Sequence, residues 1–266
     1  MAILQPNSTK RCTAMLGCAM SGDKLDPYII FQGKDSAGGR IARELRQPSA
    51  SGYAESCSYG AQEKAWMNED QMAQWISKIW APYANAIDGP KLLLIDSFTV
   101  HMTSRIRSLL GDINTEVEFI PPGFTSKLQV MDVGINKPFK DRVRQAVETF
   151  LSQNNVDTKP SRQVVSHWIG NSWGNIPAQM IINTWRHIGF FGGIGPHPNP
   201  EEEEMNESHD PLALVIPHVS AEEDDEEYDT DASLNSNCTT REIMLECFNG
   251  KLVNDITLFN PTTVFQ

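Results

Sequence analysis

The sequence lacks several features that would place a protein in a class at once. No apolar run approaches the roughly 20 residues that a membrane-spanning helix needs, and the first residues contain no long apolar stretch of a secretory signal. The five cysteines form no CxxC pair, and their odd number argues against a zinc site or a disulfide framework. These absences favour a soluble intracellular protein, without a readable targeting signal, whose reduced cysteines act as small apolar residues.

Basic residues are missing from one long stretch of the chain. Residues 201–231 hold 14 of the 34 acidic residues and no Lys or Arg. Residues 1–200 hold 20 basic and 17 acidic residues, a net charge of +3, although the whole chain carries −12. We therefore expect a mildly basic body with an acidic tail, and the overall charge does not exclude a nucleic-acid partner. The tail predicts either a disordered solubilising segment or an interaction module for basic partners such as histones.

Strand-like and helix-like patterns alternate along the body. Residues 11–20 and 27–34 predict a hairpin, and the run "KLLLI" at 91–95 is typical of a strand covered on both faces. Further elements are predicted by periodicity and by capping residues: a helix at 68–87 with Asn68 as N-cap, a helix at 103–111, a strand at 116–120, a helix at 132–155 and two helical stretches within 160–191. This order predicts an α/β fold with a mixed sheet flanked by helices.

Some stretches predict irregular structure instead. Residues 35–65 are rich in Gly and Ser, and Pro82 is expected to kink or end its helix. Gly134 and Pro138 weaken the start of the helix at 132–155. The tryptophans of the last helical stretches are predicted to be core residues: Trp168, Trp173 and Trp185.

Two carboxylates stand out because of their positions. Asp96 ends the apolar run, at the carboxyl end of a strand, where functional residues of such sheets gather. Asp132 heads its helix, and a projection at about 100° per residue puts it in line with the apolar stripe that should face the sheet. Two like charges in a partly buried cleft would repel each other, and a bound Mg²⁺ would relieve that cost. On spacing alone, capping roles for both aspartates outweigh a metal site, and His101 is better explained as a turn or core residue.

The fuller pattern resembles a known family. "LLLIDSFTVHMT" followed by "FIPPGFTSKLQVMDVGINKPFK" is similar to the endonuclease domain of the DDE superfamily, in its mariner, pogo, Tigger and jerky branch. Asp96 corresponds to the family's second catalytic Asp and Asp132 to its third, and "MIINTWRHIGFF" at 180–191 resembles the closing helix. The resemblance implies a ribonuclease H-like fold, a nuclear location, and DNA cleavage and strand transfer that depend on Mg²⁺ or Mn²⁺ held by three carboxylates.

The chain departs from this family pattern in one respect. The first catalytic Asp belongs to a strand directly before the hairpin, but the leader at 1–10 contains no acidic residue. Asp23 and Asp26 fall in the hairpin turn, and Asp35, Asp70 and Asp88 have no supporting motif. We expect a fold that lacks most of its first strand, as in a truncated transposase. Val130 also stands where the family usually has Pro.

Three hypotheses about function follow. The first is a transposase-derived domain that binds DNA without cutting it, through phosphate contacts of five basic residues that could equally form a solvated helix face: Lys127, Lys137, Lys140, Arg142 and Arg144. The second is an active Mg²⁺-dependent endonuclease with a surrogate third ligand, such as Glu116, Glu118 or an upstream residue. The third is an interaction module built on the acidic tail. A homo-oligomer stays open, and no membrane partner is expected.

The division into domains follows the same patterns. We predict a leader at 1–10, an endonuclease-like domain at 11–192 and an acidic disordered linker at 193–235. A tail at 236–266 follows, with a short amphipathic helix at 239–248 that could dock at its end.

Overall fold

Six strands carry the fold in the part of the chain that the structure describes. They are β1 (Cys12–Ala19), β2 (Tyr28–Gln32), β3 (Ser58–Gln62), β4 (Lys91–Asp96), β5 (Thr115–Ile120) and β6 (Ile256–Phe265). The structure, a computed structural model, describes residues 11–34, 39–96, 98, 100, 103–121, 123–154 and 158–189, and the backbone of residues 256–265. The strands form one mixed sheet in the order β3-β2-β1-β6-β4-β5.

The predicted hairpin is confirmed as β1 and β2. The strands pair antiparallel, with Cys12 opposite Phe31 and Met15 opposite Tyr28. Gly22 has φ +91° in the connecting turn, a left-handed conformation that favours glycine. On the other half of the sheet β4 and β5 are parallel, and Asp96 lies beside Ile120. The sheet therefore contains both kinds of pairing, as a mixed α/β arrangement requires.

The helices cover both faces of the sheet. They are α1 (Arg40–Arg46), α2 (Glu69–Trp75), α3 (Ala81–Asn85), α4 (Ser104–Gly111), α5 (Thr125–Leu128), α6 (Asn136–Gln153), α7 (Arg162–Gly174) and α8 (Ala178–His187). Asn68 caps α2 as predicted, since its side chain accepts the N–H of Gln71 at 2.9 Å. The predicted break between the last two helices is also present.

Alternate residues of β1 and of β4 enter different cores. Leu16 of β1 and Leu94 of β4 pack in one apolar cluster with Phe139 of α6 and Trp173 of α7. The neighbouring residues Met15 and Leu93 enter a second cluster, with α2, α3 and α4. Because strand side chains alternate between faces, the two clusters lie on opposite sides of the sheet. The prediction of an α/β fold with helices around a mixed sheet is confirmed at this level.

One local expectation was wrong: residues 35–65 contain α1, a 3₁₀ turn at Ser49–Ser51 and β3, which pairs parallel with β2. Of the two alternatives for Pro82, a kink or an end of the helix, the structure excludes the end. A π-helical turn at Ile76–Trp80 precedes Pro82, and the helix continues to Asn85. Such a wider turn accommodates the proline ring and its missing N–H.

Several expectations lie outside the described residues: the leader at 1–10, the acidic linker at 193–235 and the helix at 239–248. The described part of the tail is β6, which the sequence analysis did not anticipate. Trp173 and Trp185 are buried as predicted, whereas Trp168 is only half-buried and packs against Phe150. None of the helices in the described ranges is long and apolar enough to cross a membrane.

Candidate active site

Asp96 is the last residue of β4. The four residues before it, 92–95, are at most 3% exposed, whereas Asp96 itself is half-buried. The backbone N–H of Phe98 donates to Asp96 Oδ1 at 3.4 Å. Asp96 therefore ends a buried strand and also accepts a long hydrogen bond from the turn that follows. The capping role left open by the sequence is present, and the carboxylate remains at the edge of the sheet.

Strand alternation shows on which side of the sheet Asp96 lies. Leu92 and Leu94 both belong to the apolar cluster that contains α6. Asp96 shares their parity along β4, so it lies on the α6 side. The carboxyl ends of β4 and β5 also meet at this edge, because the two strands are parallel. In open α/β sheets this is the edge where ligands bind.

Asp132 lies in a π-helical turn, Met131–Ile135, directly before α6. Its carboxylate accepts a hydrogen bond from Asn136 Nδ2 at 2.7 Å, and its backbone N–H donates to the carbonyl of Gln129 at 3.0 Å. The irregular start predicted for this helix is confirmed. Asp132 is exposed, however, whereas Ile135, the next residue of the expected stripe, is fully buried. The 100° projection from Asp132 fails because the turn is wider than an α-helical one.

The residue before Asp132 fixes this turn to the sheet. Met131 is fully buried, and its Sδ lies 3.7 Å from Cys18 Sγ of β1. Burial raises the pKa of the Cys18 thiol to about 12, so it stays protonated at neutral pH and behaves as an apolar group. Cys18 lies opposite Leu258 of β6, and Leu258 lies beside Leu94 of β4. Met131 is thus held two strands away from β4, at the level of Leu94, two residues before Asp96.

Helix α8 supports the same turn from outside. A Cβ atom at Gly134 would lie 2.5 Å from Thr184 Oγ1, so the close approach of α8 requires glycine here. Gln129 is also buried, and its carbonyl accepts the N–H groups of both Asp132 and Val133. In the part of the chain that the structure describes, Gln129 Nε2 has no hydrogen-bond partner. The sequence alone indicates no role in the site for Gly134 or Gln129.

Among the described residues, no third carboxylate forms a metal-binding group with Asp96 and Asp132. Within those ranges, no three His, Cys, Asp or Glu side chains are close enough to hold one metal ion. Glu116 and Glu118 share the parity of Ile120, which belongs to the α6-side cluster, but they complete no such group. Asp23 is exposed in the hairpin turn and accepts a hydrogen bond from Ser21 Oγ at 2.7 Å. His101 lies outside the described residues.

The basic residues expected to contact DNA lie on α5 and α6. Lys127, Lys137, Lys140 and Arg144 are exposed, whereas Arg142 is half-buried and donates to the carbonyl of Pro138 at 3.1 Å. Lys137, Lys140 and Arg144 follow one side of α6 at helical spacing. Asp141 lies on that side too, and its carboxylate pairs with Arg144 at 2.5 Å. The surface is therefore basic but partly neutralised by its own acidic residue.

The geometry defines a class first: a mixed α/β domain with one acidic residue at the carboxyl end of a parallel strand and another on the turn before α6. Comparison with protein families then places the chain more narrowly. Residues 9–185 match the DDE superfamily endonuclease family, and the chain belongs to that family. The resemblance seen in the sequence is thereby confirmed.

Individual relatives point to the pogo branch. The chain is 32% identical over 185 residues to the mouse protein named Pogo transposable element with KRAB domain, and 30% identical to the human protein of that name. It is 21% identical over 173 residues to the human Pogo transposable element with ZNF domain. The first two alignments cover 66% of this chain but 28% of each relative, so the chain spans under a third of their length. No solved structure matches.

Proposed function

We propose that this chain is a transposase-derived DNA-binding domain with a ribonuclease H-like sheet, in which Asp96 and Asp132 hold a divalent cation. One observation carries the proposal. Asp96 lies on the α6 side of the sheet at the end of β4, and Asp132 follows Met131, which packs on that same side. Membership of an endonuclease family supplies the expected substrate, which is DNA.

The donor set suits one Mg²⁺ or Mn²⁺ ion. Carboxylate oxygens are the hard ligands that Mg²⁺ prefers, and this ion is commonly bound by one or two carboxylates together with waters and substrate phosphates. Asp96 is half-buried and Asp132 is exposed, so a phosphate could reach both from solvent. A bound ion would offset the repulsion between the carboxylates and a DNA phosphate. Asn136 would orient Asp132 through its 2.7 Å hydrogen bond.

The basic side of α6 would provide the remaining DNA contacts. Lys137 and Lys140 lie on the first turns of α6, directly after the turn that carries Asp132. Exposed ammonium groups bind phosphates without reading sequence and release counterions when they do so. We therefore expect non-specific binding that weakens steeply with salt.

A salt titration tests this binding. We expect the affinity for a labelled duplex to fall as salt rises from about 50 to about 200 mM, and the slope of log K against log [salt] to decrease by about 1 for each lysine that is neutralised. The variants are Lys137→Gln and Lys140→Gln. Lys34→Gln is the matched control, because Lys34 is exposed on the hairpin half and pairs with Glu63. Equal slopes for all three variants would contradict the proposal.

Asp141 allows a test in the opposite direction. Asp141→Asn removes the carboxylate that pairs with Arg144, so Arg144 becomes available to a phosphate. We expect tighter DNA binding and a steeper salt slope for this variant. Unchanged or weaker binding would place the DNA on another surface.

DNA cleavage is the second candidate, and family membership is the observation that favours it. The family pattern uses three carboxylates, and Asp96 and Asp132 correspond to two of them, so we expect binding without cleavage. Incubation of supercoiled plasmid with the chain and Mg²⁺ or Mn²⁺ separates the candidates. Nicking that disappears in both Asp96→Ala and Asp132→Ala would establish the endonuclease and an additional ligand.

Three earlier expectations remain predictions. A nuclear location follows from a DNA substrate. The boundary of the endonuclease-like domain at residue 192 separates it from the acidic linker. Binding of basic partners by residues 201–231 would be lost in a chain without them, whereas a purely solubilising segment would leave the set of partners unchanged.

A further inference from the structure

The strand β6 occupies an unusual place for a segment so far along the chain. It lies between β1 and β4, antiparallel to β1 and parallel to β4. Residues 188–255 separate it from α8, the preceding described helix. In the described sheet, β1 and β4 do not pair with each other, so β6 is the strand that joins the hairpin half to the half that carries Asp96.

We propose that the gap between β1 and β4 is a strand-binding slot, and that residues 256–265 of the same chain are its resident strand. The slot would bind an extended, uncharged segment by backbone hydrogen bonds along both edges, as in β-strand addition. This inference concerns the sheet itself and holds whether or not the carboxylates bind a metal.

The strands on either side of the slot, β1 and β4, show which groups would be exposed without β6. On β1, seven residues from Cys12 to Ala19 pair with β6, and on β4 Leu92, Leu93 and Leu94 do so. These β4 residues are at most 3% exposed. Without β6, two rows of backbone N–H and C=O groups would become sheet edges in the middle of the apolar core. Exposed edges of this kind favour pairing with another chain.

The sequence of the segment fits a central strand. "ITLFNPTTVF" has no charged residue, and seven of its ten residues are β-branched or aromatic, the types enriched in strands. Pro261 is the apparent exception, because proline cannot donate to a strand ladder. The pairing register explains how the sheet accommodates this proline. Ala14 lies opposite Thr263 and Leu16 opposite Asn260, so Pro261 and Thr262 together face the single residue Met15. This is a β-bulge, where proline is tolerated.

The same chain is the expected source of the strand. The connection at 188–255 is ample, since an extended chain covers about 3.3 Å per residue. Covalent connection also makes the pairing unimolecular, which favours it over a second copy in dilute solution. A strand contributed by another copy is therefore the competing arrangement.

Native cysteines on β1 allow a direct test. Cys18 lies opposite Leu258, and Cys12 lies opposite Phe265. Opposed residues of antiparallel strands have Cα atoms about 4.5–5.5 Å apart, within the range of about 4.4–6.8 Å that disulfides need. We expect Leu258→Cys to cross-link to Cys18 and Phe265→Cys to cross-link to Cys12. Both variants are made in the 266-residue chain and also carry Cys238→Ser and Cys247→Ser, so that the other tail cysteines cannot form disulfides.

Neighbouring positions provide matched controls. Phe259→Cys and Val264→Cys lie opposite Gly17 and Thr13, so neither faces a cysteine. Each reduced variant is first checked for cooperative urea unfolding, then oxidised, and its disulfides are mapped by mass spectrometry of unreduced peptides. The proposal predicts the two named disulfides within monomers and none in the controls. Covalent dimers through the same cysteine pairs would assign the strand to a second copy, and folded variants without these disulfides would overturn the slot.

A second measurement does not depend on thiol chemistry. Leu258 pairs on both sides, with Cys18 and with Leu94. Leu258→Pro removes a donor from the centre of the sheet and should abolish hydrogen-exchange protection along β1 and β4. Leu252→Pro, six residues upstream of Leu258, is the control and should leave protection unchanged. Equal protection in both proline variants would contradict the proposal, whatever the result of the cross-linking test.

Discussion

The two halves of the sheet, on either side of β6, are held in different ways. The hairpin half is tied to α7 by several hydrogen bonds. Lys24 Nζ donates to the carbonyls of Trp173, Gly174 and Ile176 at 2.7–2.9 Å, and Trp173 Nε1 donates to the carbonyl of Leu25 at 2.8 Å. The half with β4 and β5 ends instead at Asp96, whose carboxylate accepts a 3.4 Å bond from Phe98.

This difference assigns stability to the hairpin half and ligand binding to the half that contains Asp96. On the hairpin half, a single ammonium satisfies the carbonyls at the end of α7, where a helix leaves its last acceptors unpaired. On the other half, charged groups lie at a strand end that faces solvent, where a ligand could use them. Binding residues are commonly placed on such loops and strand ends by a rigid scaffold. We therefore expect substitutions on the hairpin half to affect folding, and those at the carboxylates to affect binding.

Trp173→Ala should have the largest effect on stability. Trp173 is 3% exposed, packs edge-on against Phe139 at 6.1 Å and bonds to Leu25. Truncation leaves a cavity and an unpaired carbonyl, so we expect a loss of about 3–5 kcal/mol in the free energy of unfolding. Urea unfolding followed by circular dichroism measures it. A loss below about 1 kcal/mol would show that the hairpin half does not depend on this contact.

Lys24→Met should be the next largest. The methionine keeps the apolar stem but removes three charge-assisted hydrogen bonds, two to the last residues of α7 and one to Ile176 just after it. Hydrogen bonds to charged groups contribute about 1.5–3 kcal/mol, and we expect a loss of that size. Lys34→Met is the control, since Lys34 is exposed and its ion pair with Glu63 should contribute less than about 1 kcal/mol. Equal losses of stability for both variants would show that the hydrogen bonds of Lys24 do not stabilise the hairpin half.

Glu44 links α1 to the same half and makes its stability depend on pH. Hydrogen bonds from Arg40 and then from Tyr53 lower the pKa of Glu44 below its usual range. A carboxyl whose pKa is lowered on folding contributes stability above its unfolded pKa of about 4.3 and loses it as pH falls through the folded pKa. We expect Glu44→Gln to lower the urea midpoint modestly at pH 7 and to match the wild type in acid. A difference that persists in acid would contradict the assignment.

Asp96→Asn should have the smallest effect on stability. Asparagine keeps the shape and can still accept the N–H of Phe98, so we expect a change within about 0.5 kcal/mol in the absence of metal. A large loss would show that Asp96 is chiefly a structural cap. The half with β4 and β5 would then depend on Asp96 for its stability, as the hairpin half depends on Lys24 and Trp173.

The sequence predicted best what local patterns determine. The hairpin, the cap at Asn68 and the buried strand before Asp96 each depend on neighbouring residues, and the structure contains them. β3 was missed because its pairing with β2 bridges a long, Gly- and Ser-rich connection. β6 was missed because its place depends on partners more than 160 positions away in the chain. Neither pairing leaves a local signal beyond a short strand-like run.

The candidate site shows the same limit. Spacing and family resemblance indicate Asp96 and Asp132, and in the structure Asp96 and the buried Met131, which precedes Asp132, lie on the α6 side of the sheet. The exposure of Asp132 could not be predicted, because the π-helical turn at Met131–Ile135 breaks the angular pattern used to orient it. The role of Gly134 also depends on Thr184 of a distant helix. Contacts between distant elements set the geometry of the site, and a single sequence does not contain them explicitly.

The central claim is that Asp96 and Asp132 hold one divalent cation together. A Mn²⁺ titration of the full chain, followed by electron paramagnetic resonance, tests it most directly. Asp112→Asn is the matched control, because Asp112 is an exposed aspartate at the end of α4. We predict that Asp96→Asn and Asp132→Asn each weaken Mn²⁺ binding by more than about tenfold, since each removes one of two charged ligands, and that Asp112→Asn does not. Equal Mn²⁺ binding by all three variants and the wild type would contradict the account.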